Sequence, residues 1–402
     1  MGVPVRRLGW IWMMVAALVA AGMAAPARAD NVRRALRQAP SLVGLPGVAA
    51  DQRYQNAADI ILESGIRNLP LFPAASPTFA WQRNPDTGAW ERATDAVSPW
   101  YVDRGPTLGE GLFTADLTFG YFNVQCSSGC RIGTDRYPLS VSAAAIDYQA
   151  PTDLTYTITT LNLTYGVTDD LDINAAIPLA TLDADLRVTR RDNPTAPLIA
   201  ASQTVSAANI ADSLVRAKYR LFQTSGEMGS ATGAAGLRVR LPTGSPSRGL
   251  GTGYGEMGPY MALTANLLDG WLDSTWAGGM DFAIGDFRRS SGHYAWALDA
   301  HAPRGDDWWS RLAFSWSVLG RSEVTSLRVP SSYSGPHVTP DGIVNSPYLC
   351  VDAERHDYVD TTLGIRANLF DTVVLSLGVF KPINSQGVRA GWSPLASVQA
   401  TF

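Results

Sequence analysis

The sequence predicts an all-β fold, a transmembrane antiparallel β-barrel of about 12 strands, on three observations. An export signal opens the chain, side chains alternate with a period of two from Gly111 onward, and the connections alternate between short and long.

The export signal occupies residues 1–29. Arg6 and Arg7 form a basic region ahead of an apolar run from Leu8 to Gly22, and Ala27-Arg28-Ala29 has the small-x-small pattern that a signal peptidase reads. The apolar run is short for a membrane span of about 20 residues, so cleavage before Asp30 is expected rather than retention as an anchor. No later apolar run is long enough for a spanning helix, which argues against an inner-membrane protein. The expected location is the outer membrane of a Gram-negative-type bacterium, with membrane lipid as the surroundings.

Charge and cysteine content narrow the function. The chain carries 32 basic and 36 acidic residues; three arginines leave with the signal, so the mature balance is 29 to 36, or −7. That sign disfavours a nucleic-acid partner. In an oxidising compartment Cys126 and Cys130 can close a small disulfide loop, and Cys350, left over, can pair with either. His293, His301, His337 and His356 show no ligand spacing relative to the cysteines, so neither metal nor cofactor is expected.

Residues 30–110 differ from the rest and are expected to form an N-terminal plug or periplasmic segment. Ala50 to Ile66 reads as an amphipathic helix with Ala57, Ile60, Ile61 and Leu62 apolar, followed by the Pro-rich Leu69 to Pro73. Phe79 to Arg92 reads as a hairpin turning at Asn84 to Gly88, with strands too short to span a membrane.

The barrel is expected over residues 111–402. Phe113, Ala115, Leu117, Phe119 and Tyr121 alternate with Thr114, Asp116, Thr118 and Gly120, and similar stretches recur through Leu171 to Pro178, Val215 to Leu221, Leu237 to Leu241, Leu312 to Val318 and Val359 to Ala367. Strand starts fall near 111, 155, 171, 210, 232, 254, 271, 291, 307, 356, 372 and 391. Short turns are expected at Val167 to Asp170, Gln223 to Gly226, Leu267 to Gly270, Pro303 to Asp307 and Phe370 to Thr372, and long external loops at 126–154, 185–209, 243–253, 285–292 and 321–355. That layout separates a membrane barrel from a soluble sandwich. Tyr165, Trp271, Tyr294 and Tyr358 are candidates for the interfacial aromatic girdles. The last strand ends on Phe402, which resembles the signal read by the outer-membrane assembly machinery.

Three segments carry a family resemblance. Leu161 to Pro178, Ser213 to Phe222, and Gly236 to Gly244 with its continuation Gly249 to Gly253 resemble the strands and the Pro-Thr-Gly loop of the outer-membrane family called MetA-pathway of phenol degradation. The resemblance spans roughly residues 111–402 and implies a barrel that moves aromatic or hydrophobic compounds.

One constellation stands out within the barrel. Arg216, Lys218 and Arg220 share one strand face, and Arg238 and Arg240 the matching face of the next. A cation facing lipid at the bilayer midplane costs about 2–4 kcal/mol, so these five residues must line the lumen. They either form a positive rail for anionic aromatic or fatty carboxylates, or pair internally with Asp116, Asp172, Glu256, Asp273, Asp281, Asp299, Asp360 or the N-terminal segment. Gly249 to Gly255 imitates a dinucleotide fingerprint but lacks the following helix, so a flexible external loop is expected there. No Ser-His pair at a diagnostic spacing supports catalysis, and no enzymatic activity is expected. The sequence thus points to a passive outer-membrane channel for small hydrophobic or aromatic molecules, filled from the periplasmic side by residues 30–110. The competing expectation is a structural or adhesin-like barrel whose loops bind an external partner.

Overall fold

The computed structural model describes residues 31–50, 52–75, 81–83, 90–92, 99–125, 141–143, 147–149, 152–191, 197–226, 229–268, 271–301, 311–324, 336–339, 342–345, 357–369, 372–384 and 389–402. The export signal, Cys126, Cys130, Cys350, His356 and the turn at Pro303 to Asp307 lie outside them.

The strands are β1 (Trp81–Arg83), β2 (Trp90–Arg92), β3 (Phe113–Gln125), β4 (Val141–Ala143), β5 (Asp147–Gln149), β6 (Thr152–Gly166), β7 (Leu171–Arg191), β8 (Ile199–Ile210), β9 (Ser213–Gly226) and β10 (Gly229–Leu241). They continue as β11 (Glu256–Leu267), β12 (Leu272–Ala283), β13 (Ser291–His301), β14 (Leu312–Glu323), β15 (Pro336–Thr339), β16 (Gly342–Asn345), β17 (Asp357–Leu369), β18 (Val373–Pro382), β19 (Arg389–Ala390) and β20 (Ser393–Thr401). Twelve of these, β3, β6, β7, β9 to β14, β17, β18 and β20, pair antiparallel in that order into a closed barrel. The seam joins β20 to β3, with Thr401 opposite Thr114. Beyond it Phe402 and Phe113 exchange backbone hydrogen bonds of 2.8 and 3.0 Å, and their rings stack. Closure removes the sheet edge, which a lipid environment demands because it offers the backbone no hydrogen bonds.

The expected two-residue period runs along the wall, interrupted on β9 by a register shift opposite Gly233 and Ala234, where Leu221 and Phe222 are both exposed. Phe119, Tyr121, Tyr219, Leu221, Met261, Trp316, Leu363 and Leu377 are exposed on the outside, whereas Thr114, Asp116, Asp172, Asn174, Arg216 and Lys218 are buried inside. Tyr165, Trp271 and Tyr294 lie on the outer surface as girdle residues should. Tyr358 does not. It is buried inside the barrel beneath the guanidinium groups of Arg321 (4.8 Å) and Arg389 (5.2 Å), because it shares parity with Asp360 and Thr362 on the lumen face.

Two connections depart from expectation. The stretch 185–209 is largely sheet: β7 runs on to Arg191 and β8 pairs with it from Leu179↔Ile210 to Arg190↔Ile199, forming a hairpin that continues the wall beyond its neighbours. Ser206 and Thr204 on β8 donate to Asp183 (2.6 Å) and Asp185 (2.7 Å) on β7. Gln223 to Gly226 is not a turn but the end of β9, still paired up to Gly226↔Gly229.

The N-terminal segment opens with α1 (Val32–Gln38), a short 3-10 helix at Ala39–Val43, α2 (Pro46–Ala50) and α3 (Gln52–Arg67). Only α3 is legible as a helix from sequence; α1 is about two turns long and is started by Asn31, whose side chain accepts from Arg34 N at 2.9 Å. Ala58, Ile61, Leu62 and Ile66 form the buried face of α3. Together with Val32, Leu36, Val43 and Leu45 they pack on Leu182, Leu186, Val188 and Val205 of the β7–β8 hairpin.

These contacts put the helices at the long-loop end, opposite the periplasmic entry expected from sequence. The chain then descends through the lumen. Thr160, Asn162 and Thr164, on one face of β6, donate to the carbonyls of Leu71 (2.8 Å), Ala74 (2.9 Å) and Ala75 (2.8 Å). Near the short turns, Gly105 N donates to Thr264 Oγ1 at 3.1 Å and Thr107 Oγ1 to the carbonyl of Asp169 at 2.6 Å. Gly105 is required there: a Cβ would lie 2.0 Å from the carbonyl oxygen of Thr232. The β1–β2 pair forms a separate two-stranded sheet, as the Phe79 to Arg92 pattern predicts.

With long loops outside the cell, an epitope placed after Asn31 is expected to bind antibody on intact cells. Detection only after permeabilising the outer membrane would contradict this placement of the N-terminus.

Candidate functional site: the charged lumen and its cavity

The inward positions of β9 and β10 place the basic strip as its parity requires. Arg216 lies opposite Arg238 and Lys218 opposite Gly236 across the β9–β10 pair. Like charges this close are tolerated because each has an acidic neighbour elsewhere. Lys218 Nζ is 3.4 Å from Asp172, Arg220 is 2.6 Å from Asp170, and Arg216 is 3.5 Å from Asp103 of the N-terminal segment. Arg238 forks onto Asp281, and Arg240 lies between Asp212 (3.1 Å) and Glu256 (3.5 Å).

The remaining inward acids divide into two groups. Asp273 pairs with Arg104 of the N-terminal segment at 3.0 Å, and Asp360 pairs with Arg389. Asp116 accepts from Thr118 Oγ1 at 3.0 Å, and Asp299 lies buried opposite Ser315. The expected acids are therefore all inward, but three partners of the strip, Asp103, Asp170 and Asp212, were not among them. Asp170 sits in a turn, Asp103 in the N-terminal segment and Asp212 just before β9, so none belongs to a strand alternation that would have drawn notice.

The N-terminal segment is hydrogen-bonded to this wall at several points. Leu108 N donates to both oxygens of Asp172 (3.0 and 3.1 Å), and Lys218 Nζ donates to the carbonyls of Pro106 (2.6 Å) and Arg104 (3.3 Å). Arg216 Nη2 donates to the carbonyl of Pro73 at 2.7 Å. On the loop side, Arg67 pairs with Glu256 at 3.1 Å and Arg321 donates to the carbonyl of Arg67 at 3.2 Å.

Within the stretch Pro242 to Gly255, Gly244 and Gly249 to Thr252 are buried against the wall and α3. Asp212, fully buried, accepts from Gly244 N (3.1 Å), Thr252 N (2.9 Å) and Thr252 Oγ1 (2.8 Å). Gly251 allows this approach, since a Cβ there would lie 2.7 Å from Asp212 Oδ1 and 2.6 Å from the carbonyl carbon of Gly244. Leu250 is buried beside α3, and Tyr254 donates to Glu63 at 3.1 Å. Burial pushes the Tyr254 hydroxyl up to about 12, which keeps it a donor at any physiological pH.

Between the N-terminal segment and the wall remains a cavity of about 230 Å³. Leu69, Leu71, Phe72 and Tyr101 face it from the segment, and Arg216, Arg238, Arg240, Arg321, Tyr358 and Phe380 from the wall.

A closed antiparallel wall that is apolar outside and charged inside defines an outer-membrane β-barrel. The family model described as "Putative MetA-pathway of phenol degradation" matches residues 134–326, a stretch that contains all three resembling segments and is shorter than the 111–402 expected from sequence. No curated protein matches the chain by sequence. Among solved structures, the COG4313 outer membrane channel from Pseudomonas putida F1 is similar at 11% identity and a TM-score of 0.46, over 74% of this chain and 98% of that one. A FadL homologue from Pseudomonas aeruginosa is similar at 8% identity and a TM-score of 0.31, over 73% and 90%. The CymD monoaromatic hydrocarbon channel is similar at 8% identity and a TM-score of 0.33, over 73% and 89%.

Proposed function

We propose that the chain is an outer-membrane channel for passive uptake of small hydrophobic or aromatic compounds, with residues 31–75 and 99–112 as a plug within the lumen. The carrying observation is the cavity between plug and wall, which joins aliphatic and aromatic surface to a few fixed polar groups, as small-molecule sites do. The family's phenol-degradation description is consistent with a ring-bearing cargo.

The test is uptake. Proteoliposomes holding the full-length barrel are expected to take up labelled phenol or toluene faster than empty liposomes, without an energy source. Equal rates would contradict a transport role. They would favour the structural, partner-binding reading, which the ion pairs Arg104–Asp273 and Arg67–Glu256 between segment and wall also support.

A further inference from the structure

We propose that Trp100 is the gate of the channel: its ring sits in a notch between Gly364 and Gly378 and closes a passage that leads from the lumen cavity down the β17, β18 and β20 side of the barrel. The proposal deepens the channel reading and rests on it for its physiological meaning.

The segment is anchored on one side of the lumen. Its hydrogen bonds with Thr160, Asn162 and Thr164 of β6, Asp172 of β7, and Arg216 and Lys218 of β9 fix its backbone there. The carbonyl of Trp100 accepts from Ala74 N at 2.9 Å, so the backbone of Trp100 is pinned through the same network. Its ring lies the other way, against β17 and β18, and Nε1 has no hydrogen-bond partner among the described residues. A buried indole usually finds an acceptor for its N–H. This ring can therefore turn about its side-chain torsions alone, and no hydrogen bond of the indole is lost when it does.

The notch is built into the wall. Gly364 and Gly378 lie directly opposite each other on β17 and β18, and both share the inward parity of Thr362, Arg366, Ser376 and Phe380. A Cβ at Gly378 would lie 2.6 Å from Trp100 Cζ3, and one at Gly364 would lie 3.5 Å from Cε3. The ring thus occupies the space that two side chains would fill. Glycine inside a strand weakens it and often marks a close approach, here that of the indole. The Arg366 guanidinium lies 5.8 Å from the Trp100 ring, and the Tyr101 ring stacks beside it at 6.3 Å.

The ring divides two spaces. On its external side is the cavity of about 230 Å³, bounded there by Tyr101 and Phe380. On its periplasmic side a space of about 20 Å³ is lined by Trp100 with Asp116, Arg366, Ser376, Ser397 and Gln399. That smaller space admits nothing larger than a water molecule. The order follows from β18, whose inward residues descend from Phe380 through Gly378 to Ser376 toward the short turn before Val373. Below the ring the inward side chains of Ser376, Ser397 and Thr401 are small, so turning the indole up into the cavity joins the two spaces.

The test is single-channel conductance of the full-length barrel in planar bilayers, with flux of labelled phenol followed in proteoliposomes. Trp100→Ala is expected to raise both several-fold, and Trp100→Phe, which keeps a ring in the notch, to stay close to the parent. Gly364→Val keeps the indole but fills its seat, and is expected to raise conductance as well, so the gate stays testable if Trp100→Ala fails to fold. Parent-like conductance in Trp100→Ala and Gly364→Val, while a variant lacking Asn31 to Pro106 conducts more, would overturn the gate and leave the plugged channel intact. Equal increases in Trp100→Ala and Trp100→Phe would show a role in packing rather than closure and would also overturn it. Higher conductance in Trp100→Ala and Gly364→Val without phenol flux would support the gate and refute passage of that cargo. If no variant conducts, the deletion included, the gate and the channel reading both fall.

Discussion

Replacing Asp172 with Asn is expected to destabilise the folded barrel by about 3–5 kcal/mol, the loss typical when one member of a buried ion pair is removed. Asp172 and Lys218 are both 1% exposed, 3.4 Å apart. With the carboxylate gone, the ammonium keeps the carbonyls of Pro106 and Arg104 without a carboxylate at 3.4 Å, and Leu108 N loses one of its two acceptor oxygens. The double variant Asp172→Asn, Lys218→Met should recover much of the loss, because it removes the stranded charge. Urea unfolding of the barrel in lipid, followed by its heat-modifiable gel mobility, measures both. A single-variant loss below about 1 kcal/mol would mean that the pair is solvated like a surface pair, and that the segment at Pro106 and Leu108 does not seal this part of the lumen.

Replacing Asp212 with Ala is expected to act on a different region with comparable force. It removes one of the two acidic neighbours of Arg240 and the acceptor for Gly244 N and Thr252 N, and leaves the Thr252 hydroxyl with the carbonyl of Tyr254. Each unsatisfied buried donor costs about 1–3 kcal/mol. The stretch Pro242 to Gly255 should open, with fast amide exchange at Gly244 and Thr252 and tryptic cleavage after Arg248. Amide exchange at those two residues unchanged from the parent would show that the stretch is held by its packing on α3 and not by Asp212.

The wall was legible because lipid leaves it little freedom. An extended chain can cross only as a closed barrel, and each crossing must alternate, so parity alone assigned Arg216, Lys218, Arg220, Arg238 and Arg240 to the lumen. Parity also assigns Tyr358 inward; its position near a strand end suggested a girdle residue, and the alternation was the better guide. What sequence did not disclose lies where no periodicity operates. The acidic partners in turns and in the N-terminal segment depend on where the chain travels through the barrel, and nothing local to Asp103 or Asp212 records that path. The β7–β8 extension reads as a loop because the outward residues of β7 there, Asp185, Arg187 and Thr189, are polar rather than apolar. Water rather than lipid lies beyond it, so the membrane pattern is absent while the strand persists. The glycines of Gly249 to Gly255 suggested flexibility, yet at Gly251 the missing side chain permits close approach to Asp212 rather than freedom of the backbone.

The central claim is that residues 31–75 and 99–112 occupy the lumen and limit what passes. Single-channel conductance in planar bilayers tests it most directly, comparing the parent with a variant lacking Asn31 to Pro106 that retains a heat-modifiable folded barrel. The deletion should raise conductance several-fold and show anion preference, since it removes Asp103 and uncovers Arg216 and Lys218. A folded deletion variant that conducts no better than the parent would contradict the claim.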